Sequence, residues 1–303
     1  MVDHVVQAIL PLNPRQIIAI VGHQQEKVKK ALQSFNLDFA IQEQQLGTGH
    51  AVLIAENIVE KNVDTVMILC GDTPLVRSET LVQLYRAHGE RKAVLTLMTT
   101  RLDNPTNYGR IISEADGKIA GIVEQKDASK EQLQIREINA GIYCVSKDFL
   151  FSALRNVGTD NSQNEVYLTD IVKIAVDQGL SVEKVSVDNP LEVLGINSRM
   201  ELAEAHRALQ LRRNSDLMLQ GVTMYQPESI SVSPEVRIGR DTLLEPCVRI
   251  SGNSLIGEGC LIGQGSILTN CRIGDRVVIG PYCVLSDATI DPGKILAPFS
   301  RNP

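Results

Sequence analysis

Between Ile238 and Leu296 an aliphatic residue returns every six positions. It stands at Ile238, Leu244, Ile250, Ile256, Ile262 and Leu268, then after a five-residue step at Ile273, Ile279 and Leu285, and after a second short step at Ile290 and Leu296. Small or slim residues often sit four places later, at Thr242, Val248, Ser254, Cys260, Ser266, Val277 and Cys283. Helices repeat their apolar face with a period near 3.6 and half-buried strands with a period of two, so neither produces this spacing. Hexapeptide repeats do, and they stack as a parallel β-helix. The cysteines of this region are expected to fill packing slots as buried, inert thiols. The segment GEGCLIGQG (257–265) has the look of a phosphate-binding glycine loop, but it lies inside the repeat and opens no helix, so it is set aside. The flat aliphatic faces of such a repeat form exposed patches of the kind that mark an interface.

Upstream the pattern is different. Strand-like QIIAIVG (16–22), DFAIQ (38–42), TVMILCGD (65–72) and KAVLTLMTT (92–100) alternate with the helix-like EKVKKALQSF (26–35), HAVLIAENIVE and SETLVQLYRAHG (78–89), the last closing on glycine. This βαβα order predicts a mostly parallel sheet with helices on both faces, and ligands in such folds sit beyond the carboxyl ends of the strands. Residues 198–220 read as one helix, opened by the capping box formed by Ser198 and Glu201 and left at Gly221. The chain therefore divides into an α/β domain over 1–197, a linker helix over 198–220 and a repeat domain over 221–303.

Charge and composition narrow the function. The net charge of −6, without a lysine or arginine block, argues against nucleic acid and anionic membranes, and the lack of tryptophan argues against a base-stacking platform. No apolar run reaches spanning length and no signal peptide is visible. Six cysteines form no CxxC pair, which fits free thiols in a reducing cytoplasm better than disulfides or zinc.

QQLGTGHAV (44–52) places glycines at 47 and 49 where a helix should begin, although each costs about 1 kcal/mol against alanine inside one. Either the segment is a turn before an ordinary helix, or the backbone comes close to something there. Asp72 ends an apolar strand, where a carboxylate is either a loop or cap residue or the holder of a cation in the ligand crevice. None of the five histidines falls into triad or metal spacing, and His50 reads as structural.

Seven stretches, QEQQLGTGHA, LCGDTPL, NPTNYGRI, GIVEQKDA, REINAGIY, EVYLTDIV and EVLGINSRMELA, resemble the bacterial N-acetylglucosamine-1-phosphate uridylyltransferases, in that family's order and over nearly the whole chain. In the family this enzyme is the amino-terminal half of a bifunctional protein whose other half is a left-handed β-helix acetyltransferase. The resemblance implies a Rossmann-like nucleotidyltransferase domain followed by a left-handed parallel β-helix. It implies UTP and N-acetylglucosamine-1-phosphate as substrates, Mg²⁺ as cofactor, UDP-N-acetylglucosamine for cell-wall precursors as product, and a homotrimer packed through the β-helix. Carried over residue by residue, Gly47 and Thr48 contact the uracil and Gln42 pairs with its polar edge, since an amide offers both donor and acceptor. Asp72 and Asn197 match the family's Mg²⁺ ligands, a set of two oxygens completed by phosphates and water. Gly109, Glu124 and Asn139 match the residues around the N-acetylglucosamine, with Tyr167 and Thr169 near the same pocket.

Two departures accompany the resemblance. The family's opening strand, its L-x-A-G-x-G-T-R-M loop and the following P-K pair, which together hold the triphosphate, have no counterpart in residues 1–303. The final stretch APFSRNP departs from the family's arginine-containing turn, and the later coils that carry acetyl transfer are not represented. Impaired uridylyl transfer and no acetyltransferase activity are therefore expected of these residues. A related sugar-1-phosphate nucleotidyltransferase and a catalytically silent trimeric scaffold stay as alternatives.

Overall fold

The computed structural model describes residues 1–302 and separates into two units, Met1–Asn197 and Ser198–Pro303. In the first unit the strands are β1 (Ile18–Val21), β2 (Asp38–Ile41), β3 (Thr65–Ile68), β4 (Leu95–Arg101), β5 (Arg110–Ser113), β6 (Ile119–Val123), β7 (Glu137–Ser146) and β8 (Val182–Ser186). The helices are α1 (Val2–Ile9), α2 (Gln25–Ala31), α3 (Thr48–Ile54), α4 (Ser78–Glu90), α5 (Lys147–Leu154) and α6 (Asp170–Asp177). The helix expected to close on Gly89 runs one residue further, to Glu90.

The main sheet has the order β6-β5-β7-β4-β8, with β3 also paired to β7. It corrects the expectation of a mostly parallel sheet: β4 and β8 are its one parallel pair, and β7 runs antiparallel to β3, β4 and β5. The reason is connectivity. From β4 to β7 no α-helix intervenes, and strands joined without a crossover return antiparallel. The long strand β7 feeds both faces of the sheet by alternation. Ala140, Ile142 and Cys144 pack into one core with Leu81 and Leu84 of α4, while Tyr143 and Val145 pack into another with Leu150, Leu154, Ile171 and Val172 of α5 and α6.

Strands β1 and β2 form a separate parallel pair. Strand β1 bonds only to β2, and β3 only to β7. The edges they leave unpaired line a channel of about 670 Å³, walled by Ile18, Ile20, Val66, Ile68, Val5 and Val52 among other, mostly aliphatic, residues.

The second unit opens with α7 (Arg199–Leu219), whose capping box is formed: Ser198 Oγ accepts from the Glu201 amide at 3.1 Å and the Glu201 carboxylate accepts from the Ser198 amide at 2.8 Å. Beyond it the chain winds as a left-handed parallel β-helix with three sheets of stacked short strands. Successive coils place Leu243 beside Leu261, eighteen residues on, and Leu261 beside Val278, seventeen on. The shorter coil contains the five-residue step seen in the sequence. Leu244, Ile250, Ile262, Leu268, Ile279 and Leu285 point into one core, and Thr242, Ser254, Cys260, Ser266, Val277 and Cys283 fill the slim positions, all of them buried. Cys247 is an exception to the packing-slot expectation. It is exposed, because it falls one position before the slot taken by Val248, at a corner with φ of 61°.

Candidate functional site

The residues singled out in the first unit are joined by a series of hydrogen bonds, close approaches and short chain segments. Gln42 follows the carboxyl end of β2. Its amide nitrogen donates to Gly47 O at 3.2 Å and lies 3.1 Å from His50 Nδ1, so the side-chain nitrogen is held by the protein and the carbonyl oxygen is left to accept. Gly47 has φ of 109°, a region open to glycine. A Cβ there would stand 2.5 Å from Val166 O, and one at Gly49 would stand 2.9 Å from Val166 Cγ1. The glycine pair therefore lets α3 press against the segment 165–168. The Gly49 amide donates to Val166 O at 2.8 Å, the Val166 amide to Leu46 O at 2.8 Å, and Thr48 Oγ1 accepts from the Leu168 amide at 3.1 Å.

That segment leads to Thr169, whose hydroxyl donates to Glu124 at 3.0 Å. Tyr167 and Thr169 are both buried, and the Tyr167 hydroxyl accepts from Gln163 at 2.9 Å, so the two are held inside the unit behind Glu124. Glu124 follows β6 and faces Gly109, which precedes β5. A Cβ on Gly109 would come within 3.5 Å of both carboxylate oxygens. Burial, opposed by the Thr169 hydrogen bond and assisted by Asp170 and Asp127, raises the Glu124 pKa above the ordinary carboxylate value. Gly109 O in turn accepts from the Asn139 amide at 2.9 Å.

Asn139 lies two residues before Gly141, whose carbonyl faces Cys70 Sγ at 3.6 Å. Asp72 is two residues further along the loop after β3. The Ile196 amide donates to Asp72 O at 3.0 Å, and Gly195 lies against its carboxylate, so the segment ending at Asn197 is clamped to the Asp72 loop. Asn197 itself is exposed and donates to Gly195 O at 3.3 Å. Burial raises the Asp72 pKa, and no ion pair among the described residues compensates its charge. A partly buried carboxylate without an ion-pair partner, on a loop clamped to the segment that ends at Asn197, fits a hard divalent cation that brings phosphate and water ligands of its own. Among the described residues no three His, Cys, Asp or Glu side chains converge, so the protein alone does not form a complete metal cage.

One residue that lies inside the stretch NPTNYGRI but is given no role by the sequence is Arg110. It is buried, donates to Tyr108 O and, at 2.9 Å, to Gln125 Oε1, and so pins the loop carrying Gly109 from below. Its only signal in the sequence is a charge opening an apolar strand.

Residues 1–189 match the nucleotidyl transferase family, and residues 253–287 match the bacterial transferase hexapeptide (six repeats) family. The chain is 46% identical over 290 residues to the bifunctional protein GlmU of Desulfotalea psychrophila, covering 96% of this chain and 86% of that one. It is 41% identical over 302 residues to the bifunctional protein GlmU of Pelobacter propionicus, covering 99% and 66% respectively. With the bifunctional protein GlmU of Listeria monocytogenes it shares 43% identity over 305 residues, again covering 99% and 66%.

Proposed function

The chain belongs to the nucleotidyl transferase family, among the proteins called GlmU, and from that premise we propose that its first unit recognises UTP and N-acetylglucosamine-1-phosphate and joins them as UDP-N-acetylglucosamine, releasing pyrophosphate. The observation that carries this reading is the series of hydrogen bonds, close approaches and short chain segments from Gln42 through Gly47, Val166, Thr169, Glu124, Gly109 and Asn139 to the Asp72 loop. It supports the reading because the residues proposed for base, sugar and cation lie along one connected path through the first unit.

The Gln42 carbonyl accepts from the uracil ring N–H, and the backbone at Gly47 and Thr48 lies against the base. Glu124 and Asn139 hydrogen-bond the sugar hydroxyls and acetamide, and Gly109 leaves room for the ring to approach. A phosphate oxygen of the sugar phosphate forms a bond to the α-phosphorus of UTP as the bond to the β-phosphate oxygen breaks and pyrophosphate leaves. Asp72 and Asn197 would hold Mg²⁺, which when bound neutralises charge on the phosphates. The protein's share is positioning and electrostatics rather than covalent chemistry. We place the reaction in the cytoplasm, in the supply of cell-wall precursors, and the β-helix as the trimerising element.

A second reading is favoured by one observation. The helix start at Gly47–Gly49 is not an open anion cradle, since the Gly49 amide is committed to Val166. A trimeric β-helix scaffold without turnover is the corresponding alternative. Pyrophosphate release with Mg²⁺ and a panel of nucleoside triphosphates and sugar-1-phosphates decides between them. It is run on residues 1–303 and on a polypeptide carrying an upstream strand, glycine-rich loop and P-K pair. Our reading expects strong turnover of UTP with N-acetylglucosamine-1-phosphate in the longer polypeptide and little in the shorter. No turnover in either supports the scaffold, and preference for another nucleotide or sugar supports a related transferase.

A further inference from the structure

Strand β7 breaks its ladder with β4 next to the sugar-reading side chain. Leu97 of β4 pairs with Tyr143 and Thr99 pairs with Asn139, so two steps along β4 are matched by four along β7. The surplus forms a bulge centred on Gly141, which has φ of 71°, and a Cβ at that position would stand 2.9 Å from Cys70 Sγ. In a regular strand residues four apart are roughly 13 Å from one another along the chain. Here the bulge pinches them together, and Asn139 Nδ2 donates to the Tyr143 hydroxyl at 2.6 Å. On its other side Asn139 Oδ1 accepts from the Gly141 amide at 3.1 Å.

The two contacts differ in kind. A backbone N–H can only donate, so it selects the oxygen end of the amide. The phenol oxygen accepts from the nitrogen end. Together they fix which end of Asn139 is which, and leave one N–H and one carbonyl lone pair to face a ligand. Tyr143 is almost fully buried, at 1% exposure, and burial pushes its hydroxyl well above the usual phenol range. It therefore stays a neutral phenol, packed among Leu97, Val145 and Leu150, and it does not touch the ligand.

We propose that Tyr143 is a positioning residue: within the bulge the Gly141 amide selects the oxygen end of Asn139, the Tyr143 hydroxyl holds the nitrogen end in place, and together they set the preference of the pocket for a sugar bearing an acetamide over one bearing a hydroxyl. This rests on the reading of Asn139 as a sugar-binding residue given above. An Asn139 amide anchored at its oxygen end alone swings out of line, and an acetamide, which needs its donor and its acceptor met at two fixed points, is sensitive to that. A hydroxyl, being both donor and acceptor at one atom, is less so.

The test uses residues 1–303 with Tyr143→Phe, and with Gly141→Ala as a second variant that disturbs the bulge itself. The first measurement needs no ligand. The Asn139 side-chain amide, assigned by its disappearance in Asn139→Ala, is followed by ¹⁵N NMR. Loss of the phenol acceptor should move its resonances and speed its hydrogen exchange, while other asparagine side chains stay in place. The second is titration with UDP-N-acetylglucosamine, UDP-glucose and UTP. Tyr143→Phe should weaken UDP-N-acetylglucosamine roughly tenfold, as removal of one partner from a part-buried polar pair does, and should leave UTP unchanged and UDP-glucose nearly so. Unmoved Asn139 resonances in Tyr143→Phe overturn the inference while leaving the proposed function standing. Equal weakening of all three ligands, with or without loss of the native spectrum, also overturns it, because the role would then be structural support. If the parent chain binds neither sugar nucleotide, the sugar-site reading falls and the inference with it.

Discussion

Gly47 and Gly89 make a matched pair for testing how the turn at 44–49 is built. Gly47→Ala places a Cβ at φ of 109° and ψ of 173°, 2.5 Å from Val166 O and 2.9 Å from both Glu165 Cβ and Val166 N. The backbone region alone costs of order 1–3 kcal/mol for a non-glycine residue. The contact with Val166 cannot be relieved by a rotamer change, because its partners are backbone atoms. The segment 165–166 has to move, which weakens the Gly49–Val166 and Val166–Leu46 hydrogen bonds, both 2.8 Å long, at about 1 kcal/mol each. A total near 4 kcal/mol, at about 2–4 °C per kcal/mol for a unit of this size, lowers the melting of the first unit by roughly 8–16 °C. Gly89 sits inside α4 with φ in the ordinary range and nothing within 4 Å of a built Cβ. Gly89→Ala should therefore raise the same transition, by about 2–4 °C, from its gain of ~1 kcal/mol in helix propensity. Calorimetry on the whole chain reads both, with the β-helix transition as internal control. Gly47→Ala melting within about 2 °C of the parent would refute the close-approach account, as would a fall for Gly89→Ala.

Three further outcomes are expected. Asp72→Asn should abolish Mg²⁺-dependent turnover in a polypeptide that carries a phosphate loop, with the fold intact by circular dichroism; a rate and Mg²⁺ dependence equal to the parent's would remove Asp72 from the cation site. Glu124→Gln should abolish sugar binding yet raise the melting temperature at neutral pH, because burial raises the Glu124 pKa and the charged form is the disfavoured one. The sign follows from linkage: stability from this group is fully present below its ordinary pKa and is lost as pH rises through the raised one, so the advantage of the glutamine should vanish in acid; an advantage that persists or grows there would show another cause. Sedimentation should give a trimer through the outward aliphatic ladder Leu243, Leu261, Val278 and Ile295, and a monomer at high concentration would sink that assembly.

The β-helix was the most legible part of the molecule because its period maps directly onto its geometry. Each sixth residue enters the same core whatever its distant surroundings, so Ile262 or Leu285 needs no tertiary context to be placed. The sheet of the first unit was less legible. Alternation up to residue 100 reads as parallel, and nothing local in β7 announces that it will run antiparallel between β3 and β4. At the candidate site the motif residues and, through the resemblance, their expected roles could be named, but not the contacts that hold them. Gln42 turned out to have its nitrogen engaged by Gly47 and His50, which only the folded turn shows. The glycines at 47 and 49 read by themselves first as a turn and only second as a close approach, and the resemblance reverses that order; the structure shows what they approach within the protein, which is Val166. Tyr143 lay beyond reach for a different reason: its link to Asn139 exists because a bulge shortens the strand, and sequence spacing alone places the two far apart.

The central claim, that this surface reads both a uracil and an N-acetylated sugar, is tested most directly by mapping ligand-induced amide shifts across residues 1–303. UDP-N-acetylglucosamine should move resonances at Gln42, Gly47 and Thr48 and, in the same titration, at Gly109, Glu124 and Asn139, with one shared saturation curve. UDP-glucose should reproduce the first group and weaken the second, and ADP-glucose should leave the first group still. Shifts that scatter over the surface, or the same pattern from ADP-glucose as from UDP-N-acetylglucosamine, would contradict the account.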